Sequence, residues 1–553
     1  MSSGESSPTT LKSHSVFEST NEKKDVEVAD IEEIGLEESV FDDPNLAQYY
    51  QPREDYEGYH RFDPKAVWTA KEEKAIVRKI DFRIMFWCCI MFVALQLDRG
   101  NISNALTDDF LPELGLTTND YNTGQTIFYI CFLLMELPSQ LISKKLGPDN
   151  WIPIQMTLWS VVAMSQSRIT GKSSFFATRA LLGALEGGFI PDIVLYLSYF
   201  YKGEELPVRL SYFWVSLTST TILGSFLAYG ILHLRGANGW SGWRFLFLIE
   251  GAFTLIIGIV SFFYLPPSPT QTKGWLRGKN GWFSEREEVI MVNRVLRDDP
   301  SKGDMNNRTA VGPRDLWRSL CDYDNWGLYI IGLLAYVPTG PPAVYLTLTL
   351  KNLGFGTFNS NLLTIPSSIL FILNVGIVGL LIDNIGLTYL SRWTKERSLT
   401  SMLAVVWALP FLIALEVLPG DINQWVKYAI VSLLVAYPYC HPILVGWNSI
   451  NSNTVRTRTV SAAIYNMMVQ LGSIIYSNIY RANDAPLYRQ GNKVLIGICV
   501  FDIFLFIGVK RYYIWRNKTR AAIWDAMTTD QKSEYLATTT DRGNKRLDFR
   551  FHH

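Results

Sequence analysis

Long apolar runs separated by short polar segments occupy most of the chain between residues 83 and 516. Twelve runs can be counted in the sequence, each with about 18–25 mostly apolar residues, the length that a helix needs to cross a bilayer. Backbone groups in lipid must satisfy one another, so each run is expected to form a transmembrane helix. The runs are centred near Val93, Leu133, Leu158, Ala184, Leu223, Leu255, Leu334, Leu373, Leu403, Leu434, Met468 and Ile503.

The spacing of the runs divides the chain into two parts. Six runs precede a long polar segment and six follow it, a layout typical of two pseudo-symmetric bundles. We therefore predict an all-α polytopic membrane protein with 12 transmembrane helices in two six-helix bundles. Its expected regions are a cytosolic N-terminal tail (1–80), an N-terminal bundle (81–265), a cytosolic central loop (266–322), a C-terminal bundle (323–516) and a cytosolic C-terminal tail (517–553).

Two polar segments carry helical signals of their own. The stretch FDPKAVWTAKEEKAIVRKID has apolar residues at helical spacing and basic residues near the first run, which predicts an amphipathic helix on the membrane surface near 62–80. In the central loop, Ser284 and Glu287 have the spacing of a capping box. This loop is expected to form one short helix that tethers the two halves.

Composition supports a membrane protein and excludes several other classes. Of the 553 residues 48% are hydrophobic and only 18% are charged, whereas soluble chains carry about 25% charged residues. The net charge is zero, which gives no electrostatic case for nucleic acid. The six cysteines lack the spacing of a disulfide framework or a metal site. HExxH, GxSxG and P-loop motifs are missing from the sequence, which argues against an enzyme.

Basic residues flank both ends of the membrane region, and the first eighty or so residues are polar and acidic. Lysine and arginine prefer the cytosolic side of membrane proteins, so we expect both termini in the cytosol. The N-terminal tail is expected to be disordered.

Four of the ionisable residues inside apolar runs point to a site, because a charge there costs about 2.5–3.5 kcal/mol. Asp98 and Arg99 are adjacent in the first run, and Arg179 and Glu186 are seven residues apart in the fourth. A seven-residue spacing places the latter two on one helix face, about 10 Å apart. Gly183 lies on that face and allows a neighbouring helix to approach closely. We expect the four side chains to converge near mid-membrane; the alternative is that Arg179 only forms a structural ion pair.

Other polar residues in the apolar runs are weaker candidates. Glu136 precedes Pro138 and fits either a cavity residue or a helix kink. Glu250 is expected to pack against a nearby basic group, and His441, between two prolines, to be a satisfied packing residue. Hydrogen bonds from the second half could come from Trp447, Asn448, Asn466 and Gln470.

Several motifs resemble a known family. The pattern in RALLGALEG and the twelve runs resemble the major facilitator superfamily, and DRGNISNA together with Arg179 and Glu186 resembles its anion:cation symporter family. WRFLFLIEG and the segment 62–81 are similar to the fungal allantoate permease group. Within that group, NDYNTGQT, MVNRVLRDDPSKGD and TTTDRGNKRLDFRF resemble the branch of inorganic-sulfur and sulfonate transporters.

The resemblance implies a role for each matching residue. Arg99 would contact an anionic substrate and hold Asp98, while Asp98 and Glu186 would be the protonation sites that couple transport to the proton gradient. Arg179 would tune Glu186 and add positive potential, and Asn466 would bind substrate. One departure is that SKKLGPDN, after the second run, lacks the aspartate of the superfamily's usual loop motif.

The expected function is proton-coupled import of a small anion, with a sulfur oxyanion or sulfonate as the substrate. An organic anion such as allantoate, a vitamin carboxylate or a dipeptide is the alternative, and a non-transporting nutrient sensor is a third reading. The expected partners are the anion, H+ and the lipid bilayer. We expect a monomer in the plasma membrane that needs no cofactor or metal, with protons as the coupling ion.

Overall fold

A computed structural model provides the structure of the protein. It describes residues 33–34, 41, 51–52, 54, 56–202, 205–298, 321–376, 396–419, 422–452, 455–539 and 543–553. The N-terminal tail before residue 56 and the part of the central loop at 299–320 therefore lie almost wholly outside the described residues.

The first half of the chain is helical apart from one small two-stranded sheet. Strand β1 (Glu33–Ile34) pairs antiparallel with β2 (Trp68–Thr69). The helices are α1 (Ala70–Ile80), α2 (Phe86–Ala105), α3 (Phe110–Glu113), α4 (Thr118–Leu146), α5 (Pro148–Ser165), α6 (Lys172–Glu186), α7 (Phe189–Leu197), α8 (Leu206–Leu232), α9 (Gly242–Tyr264) and α10 (Glu285–Asp298). A π-helical turn, Asp81–Met85, joins α1 to α2.

The second half is divided into more numerous and shorter helices, several of which begin at proline or glycine. They are α11 (Trp326–Leu334), α12 (Gly340–Val344), α13 (Leu346–Asn352), α14 (Thr357–Leu362), α15 (Ile365–Gly376), α16 (Ser398–Val417), α17 (Gln424–Val435), α18 (His441–Asn451), α19 (Val455–Tyr476), α20 (Arg489–Ala526) and α21 (Thr529–Thr538). Single 3₁₀ turns lie at Tyr59–Arg61, Leu106–Asp108, Gln166–Arg168, Ala237–Gly239, Tyr323–Asn325, Ala482–Asp484 and Gly543–Lys545.

The helices follow the apolar runs of the sequence. Every predicted centre lies in one of these helices. Within the described ranges, six segments are long and apolar enough to cross a membrane: Ala70–Asp108, Thr118–Ser143, Lys172–Leu197, Gly242–Tyr264, Ser398–Val417 and Arg489–Ala526. The number of crossings stays a prediction, because the remaining runs do not meet that length and composition within the described residues. The protein is a helical multi-pass membrane protein.

The amphipathic segment before the first run is shorter than predicted and covers protein. The helix begins at Ala70, because Thr69 forms a capping box with Glu72, and the residues from 62 to 67 are turns and extended chain. Ile76 and Ile80 are buried in the core of the first half. The apolar face of α1 therefore packs on the bundle and on α10. The sequence had predicted that this face lies on the membrane surface.

The central helix α10 has the predicted capping box, with Glu287 accepting from the Ser284 backbone N–H at 2.8 Å. It packs beneath the first half: Arg294 is fully buried and pairs with Glu73 and Glu205. Lys79 donates to Glu287 at 2.7 Å. All the contacts described for α10 are with the first half, so its described part caps that half and does not bridge the two.

The C-terminal residues pack against the second half. Helix α20 continues ten residues beyond the predicted boundary at 516, and the chain then returns so that Phe551 stacks on Tyr513 with ring centres 4.8 Å apart. The side-chain amide of Asn517 donates to the Phe551 carbonyl at 2.7 Å and accepts from the Phe551 backbone N–H at 2.8 Å. Lys545 pairs with Asp324 at 2.8 Å. Each half thus carries its own polar cap at one end, which we call the tail end.

The opposite end, where α2 ends and α4 begins, is called the far end, and there the two halves contact each other. Asn122 donates to the Tyr480 carbonyl at 2.6 Å and accepts from Tyr345. Lys351 pairs with Asp109 at 2.8 Å. One hydrophobic core contains residues of both halves at this end, whereas a second belongs to the first half alone. The far end is therefore closed.

Candidate functional site

The centre of the first half holds an ion pair between α2 and α6. Arg99 Nε donates to Glu186 Oε2 at 2.6 Å, and the Glu186 side chain is 1% exposed while that of Arg99 is 22% exposed. A buried carboxylate needs a partner of this kind to remain charged. The partial exposure of Arg99 leaves one face of the guanidinium available to the space beside it.

Arg179 lies on the same face of α6 as Glu186, two turns towards the far end. It is 4% exposed, and its Nη2 donates to Gln125 Oε1 at 2.6 Å. Its guanidinium stacks over Phe128 at 4.4 Å from the ring centre. Arg179 and Glu186 interact electrostatically without a direct contact. These contacts agree with the expectation that Arg179 and Glu186 are too far apart for an intrahelical ion pair.

The two arginines share an aromatic wall on α4. Arg99 is 5.8 Å from the ring centre of Phe128 and 4.9 Å from that of Phe132. Because the face of an aromatic ring is negative, it holds a cation in place without consuming its hydrogen-bond donors. Arg99 Nη2 and Arg179 Nε are buried and make no hydrogen bond with any described residue. These two donors are therefore unused by the described residues.

Glycines on α6 explain how α4 comes so close. A Cβ atom on Gly183 would lie 2.2 Å from the carbonyl oxygen of Phe128, and one on Gly187 would lie 2.5 Å from that of Phe132. Any larger residue would push the helices apart. The RxxxGxxE pattern formed by Arg179, Gly183 and Glu186 therefore sets both the charges and the aromatic wall that faces them, as the sequence predicted for Gly183.

Asp98 does not join this ion pair, which corrects the expectation that Arg99 holds it. Asp98 is buried, and its Oδ2 accepts from Trp159 Nε1 on α5 at 3.3 Å. Consecutive residues of a helix point about 100° apart. When Arg99 faces α6, Asp98 must therefore face α5 and α9. Three of the four predicted residues form one cluster, and the fourth lies behind it.

No described hydrogen bond or ion pair joins the residues predicted from the second half to the Arg99–Glu186 pair. Trp447 is fully buried and donates to the His552 carbonyl at 2.7 Å, and Asn448 accepts from Ser461 at 2.9 Å. The described contacts of both residues are thus structural contacts of the second half. Asn466 is exposed on α19, and Gln470 is half-buried one turn further along. Their substrate roles stay predictions.

Two weaker candidates have distinct surroundings. His441 is buried among tyrosines, with its Nδ1 at 3.1 Å from the Tyr336 hydroxyl and its ring 5.9 Å from that of Tyr465. Glu136 is buried on α4, close to the proline within that helix, and forms no ion pair with any described residue. No described hydrogen bond or ion pair joins Glu136 to Arg99 or Arg179.

Gln125 is the contact residue that the sequence analysis missed. It lies in NDYNTGQT, a segment that contributes to the family resemblance. Its spacing contains the signal, because Tyr121, Gln125 and Phe128 lie on one face of α4. Gln125 Nε2 donates to Tyr121 at 2.9 Å, so the amide that holds Arg179 is itself held.

Gln125 also connects the site to the contact between the halves. A small cavity at the far end is lined by Gln125 together with residues of the second half, among them Tyr345 and Tyr476. The hydroxyl of Tyr129, one turn further along α4, is 3.0 Å from the hydroxyl of Tyr476. The described hydrogen bonds between the halves lie between the far end and this tyrosine pair.

Comparison with known proteins now decides the family. The model of the Major Facilitator Superfamily matches residues 88–477. The chain belongs to the major facilitator superfamily. It is 46% identical over 523 residues to the uncharacterized transporter YIL166C of Saccharomyces cerevisiae, which covers 94% of this chain and 95% of the relative. The MFS transporter prlL of a fungal species is 29% identical over 81% of the chain and 88% of its own length.

Solved structures of the superfamily share the fold. The nucleoside transporter NupG superposes with a TM-score of 0.55 at 11% identity, over 77% of this chain and 99% of its own. The xylose transporter XylE of E. coli, in a partially occluded inward open conformation, gives 0.54 at 13% identity over 76% and 96%. The relatives and the fold are those of membrane transporters and not of enzymes.

Proposed function

We propose that this transporter imports a small anion together with protons, and that the anion is a sulfur oxyanion or sulfonate such as sulfate, sulfite or thiosulfate. The observation that carries the proposal is the pair of guanidiniums, Arg99 and Arg179, on one aromatic wall with unused donors. A guanidinium is planar and offers several N–H groups in a fork that matches an oxyanion. The sulfur branch also rests on the family resemblance of the sequence.

Charge balance in this cluster explains how protons and anion would move together. Arg99 and Arg179 carry two positive charges, and Glu186 neutralises one of them in the empty site. Protonation of Glu186 releases Arg99, which then binds the anion. The anion and the proton thus stabilise each other's binding. The binding of either one without the other has a less favourable free energy.

Alternating access would follow from the contact between the halves. The far end is held by hydrogen bonds such as that of Asn122 with Tyr480, and by the Lys351–Asp109 pair. Rocking of one half against the other breaks these contacts and exposes the arginine cluster to the far side. With both termini in the cytosol of a plasma-membrane protein, the far side is the cell exterior.

An organic anion is the second candidate substrate, and one feature of the second half favours it. Tyr336, Tyr439 and Tyr465 surround His441, with rings between 5.6 and 5.9 Å from the imidazole. Such an aromatic cluster could contact the apolar body of a carboxylate ligand. Sulfate and thiosulfate have no such body and would leave this cluster unused.

Uptake into proteoliposomes tests the proposal. Radiolabelled sulfate, thiosulfate, taurine and allantoate are compared with an inward proton gradient and without one. The proposal predicts accumulation of a sulfur anion that requires the gradient and is not suppressed by excess allantoate. Accumulation of allantoate alone would assign the organic class, and equal uptake without the gradient would contradict proton coupling. Growth of a transport-deficient cell on single sulfur sources checks the result in vivo.

A further inference from the structure

A second group of buried polar residues lies behind the arginine cluster, between α2, α5 and α9. Asp98 and Asn101 are one turn apart on α2, and Glu250 on α9 interacts with both of them. All three are at most 3% exposed. Thr254, one turn from Glu250, donates to the Ala94 carbonyl at 3.5 Å and so brings α9 against α2.

The polar atoms of this group are mostly unsatisfied. Asp98 Oδ1, both oxygens of Glu250 and both polar side-chain atoms of Asn101 are buried without a well-formed hydrogen bond to any described residue. Asn101 nevertheless lies near enough to Glu250 to interact with it. A buried amide that has no other partner among the described residues and lies beside two carboxyls indicates a site that binds something small.

Glu250 has no basic partner among the described residues, although one was predicted from the sequence. Its charge would be opposed by that of Asp98 and by no described cation. The charged groups on the neighbouring helices have other partners. The ion pairs are Arg99 with Glu186, Arg244 with Glu113 and Arg209 with Asp81. Arg168 stacks over Trp240, and Asp149 lies at the tail end beside Asn150.

We propose that Asp98 and Glu250 form a carboxyl pair that holds one proton in the empty transporter and takes up a second when the anion binds. The inference rests on the proposed function and adds Glu250 as a third coupling acid. Two carboxylates this deeply buried cannot both stay ionised, so one shared proton is the least that the pair must hold. Trp159 Nε1 and the Asn101 amide can donate to the carboxyl oxygen that remains charged.

The charges balance in both states. In the empty site, Arg99 and Arg179 are neutralised by Glu186 and by the single negative charge of the pair. In the loaded site, Glu186 and both members of the pair are protonated, and the two arginines are neutralised by a divalent anion. One proton for Glu186 and one for the pair therefore accompany each divalent anion, and the cycle moves no net charge across the membrane.

The first test measures thiosulfate uptake into proteoliposomes at a fixed pH gradient, with and without a potassium diffusion potential. Wild-type uptake should not depend on the potential. The double variant D98N/E250Q carries one proton fewer, so an inside-negative potential should slow its uptake severalfold. D502N is the matched control, because Asp502 is another buried acid whose two oxygens lack a partner, but it lies in the second half on α20. D502N should stay independent of the potential.

Uptake by D98N/E250Q that stays independent of the potential would overturn the proposal. A wild-type requirement for Na+ would also overturn it, since the pair would then hold a metal cation. Folding is checked by size-exclusion chromatography. If the double variant does not fold, E250Q alone is used; it should displace the pH dependence of uptake relative to wild type, and an unchanged profile would reject the coupling role of Glu250.

A substrate-free measurement separates this proposal from the proposed function. Infrared difference spectra between acid and neutral pH record the C=O band of protonated carboxylic acids. Wild type and D502N should gain this band on acidification, from Glu186 and from the second member of the pair, and D98N/E250Q should gain less of it. An equal gain in the double variant would contradict the shared pair. If no sulfur anion is transported, the proposed substrate fails while this spectrum still decides the pair.

Discussion

Replacement of Gly183 by alanine tests whether the close approach of α4 and α6 positions the arginine cluster. The new Cβ would lie 2.2 Å from the Phe128 carbonyl oxygen, whereas real Cβ atoms stay at least 3.0 Å from such neighbours. The helices must therefore separate by about 0.8 Å, the difference between these two distances. The obstacle is backbone, so rotation of a side chain cannot relieve it.

The expected loss of stability in G183A follows from overpacking, which destabilises a folded protein by about 1–3 kcal/mol. Alanine also stabilises a helix interior by up to about 1 kcal/mol relative to glycine. G497A is the matched control, because Gly497 lies within α20 and a Cβ there would contact nothing within 4 Å. Since both variants gain the same helix propensity, their difference isolates the clash.

The assay is the apparent melting temperature of the purified protein in detergent, together with uptake into proteoliposomes. G183A should melt below G497A and transport more slowly than wild type, because Phe128 moves away from Arg179. G497A should melt at or above the wild-type temperature with unchanged uptake. A G183A protein as stable and active as G497A would refute the reasoning.

Three further predictions concern coupling, the far end and the tail end. E186Q should lose gradient-driven accumulation of thiosulfate and keep exchange of labelled for unlabelled anion; normal accumulation would reject Glu186 as a coupling acid. The hydrogen bond from Lys351 lowers the pKa of Asp109, so the closed far end should lose up to about 1 kcal/mol as the pH falls through that lowered pKa. The labelling rate of a cysteine introduced at the far end should therefore increase in acid, and K351M should remove this dependence of the rate on pH. F551A should release the C-terminal tail and destabilise the second half by about 3–5 kcal/mol, seen as cleavage by carboxypeptidase; a protected tail would contradict it.

Features that depend on one helix were predictable from the sequence. The spacing of Arg179, Gly183 and Glu186 predicted a common face and a close neighbour, and both are present. The capping box at Ser284 formed for the same reason, since its partners are three residues apart. Local geometry fixes such features whatever surrounds the helix.

Features that depend on which helices meet were not predictable. Asp98 and Arg99 are adjacent, and nothing in the sequence says which of them faces α6. The indole of Trp447 donates to a carbonyl 105 residues later in the chain, and the amphipathic α1 packs against α10. Each of these contacts is made by segments far apart in the chain. Helical periodicity gives no information about such contacts.

Removal of one arginine tests the central claim that Arg99 and Arg179 form the anion site. Equilibrium binding of radiolabelled thiosulfate to the purified protein is compared in wild type, R179Q and R168Q. Arg168 stacks over Trp240 at the far end and serves as the control. A charge-assisted hydrogen bond contributes about 1.5–3 kcal/mol, so R179Q should bind at least tenfold more weakly and R168Q as wild type. Undiminished binding by R179Q would contradict the account.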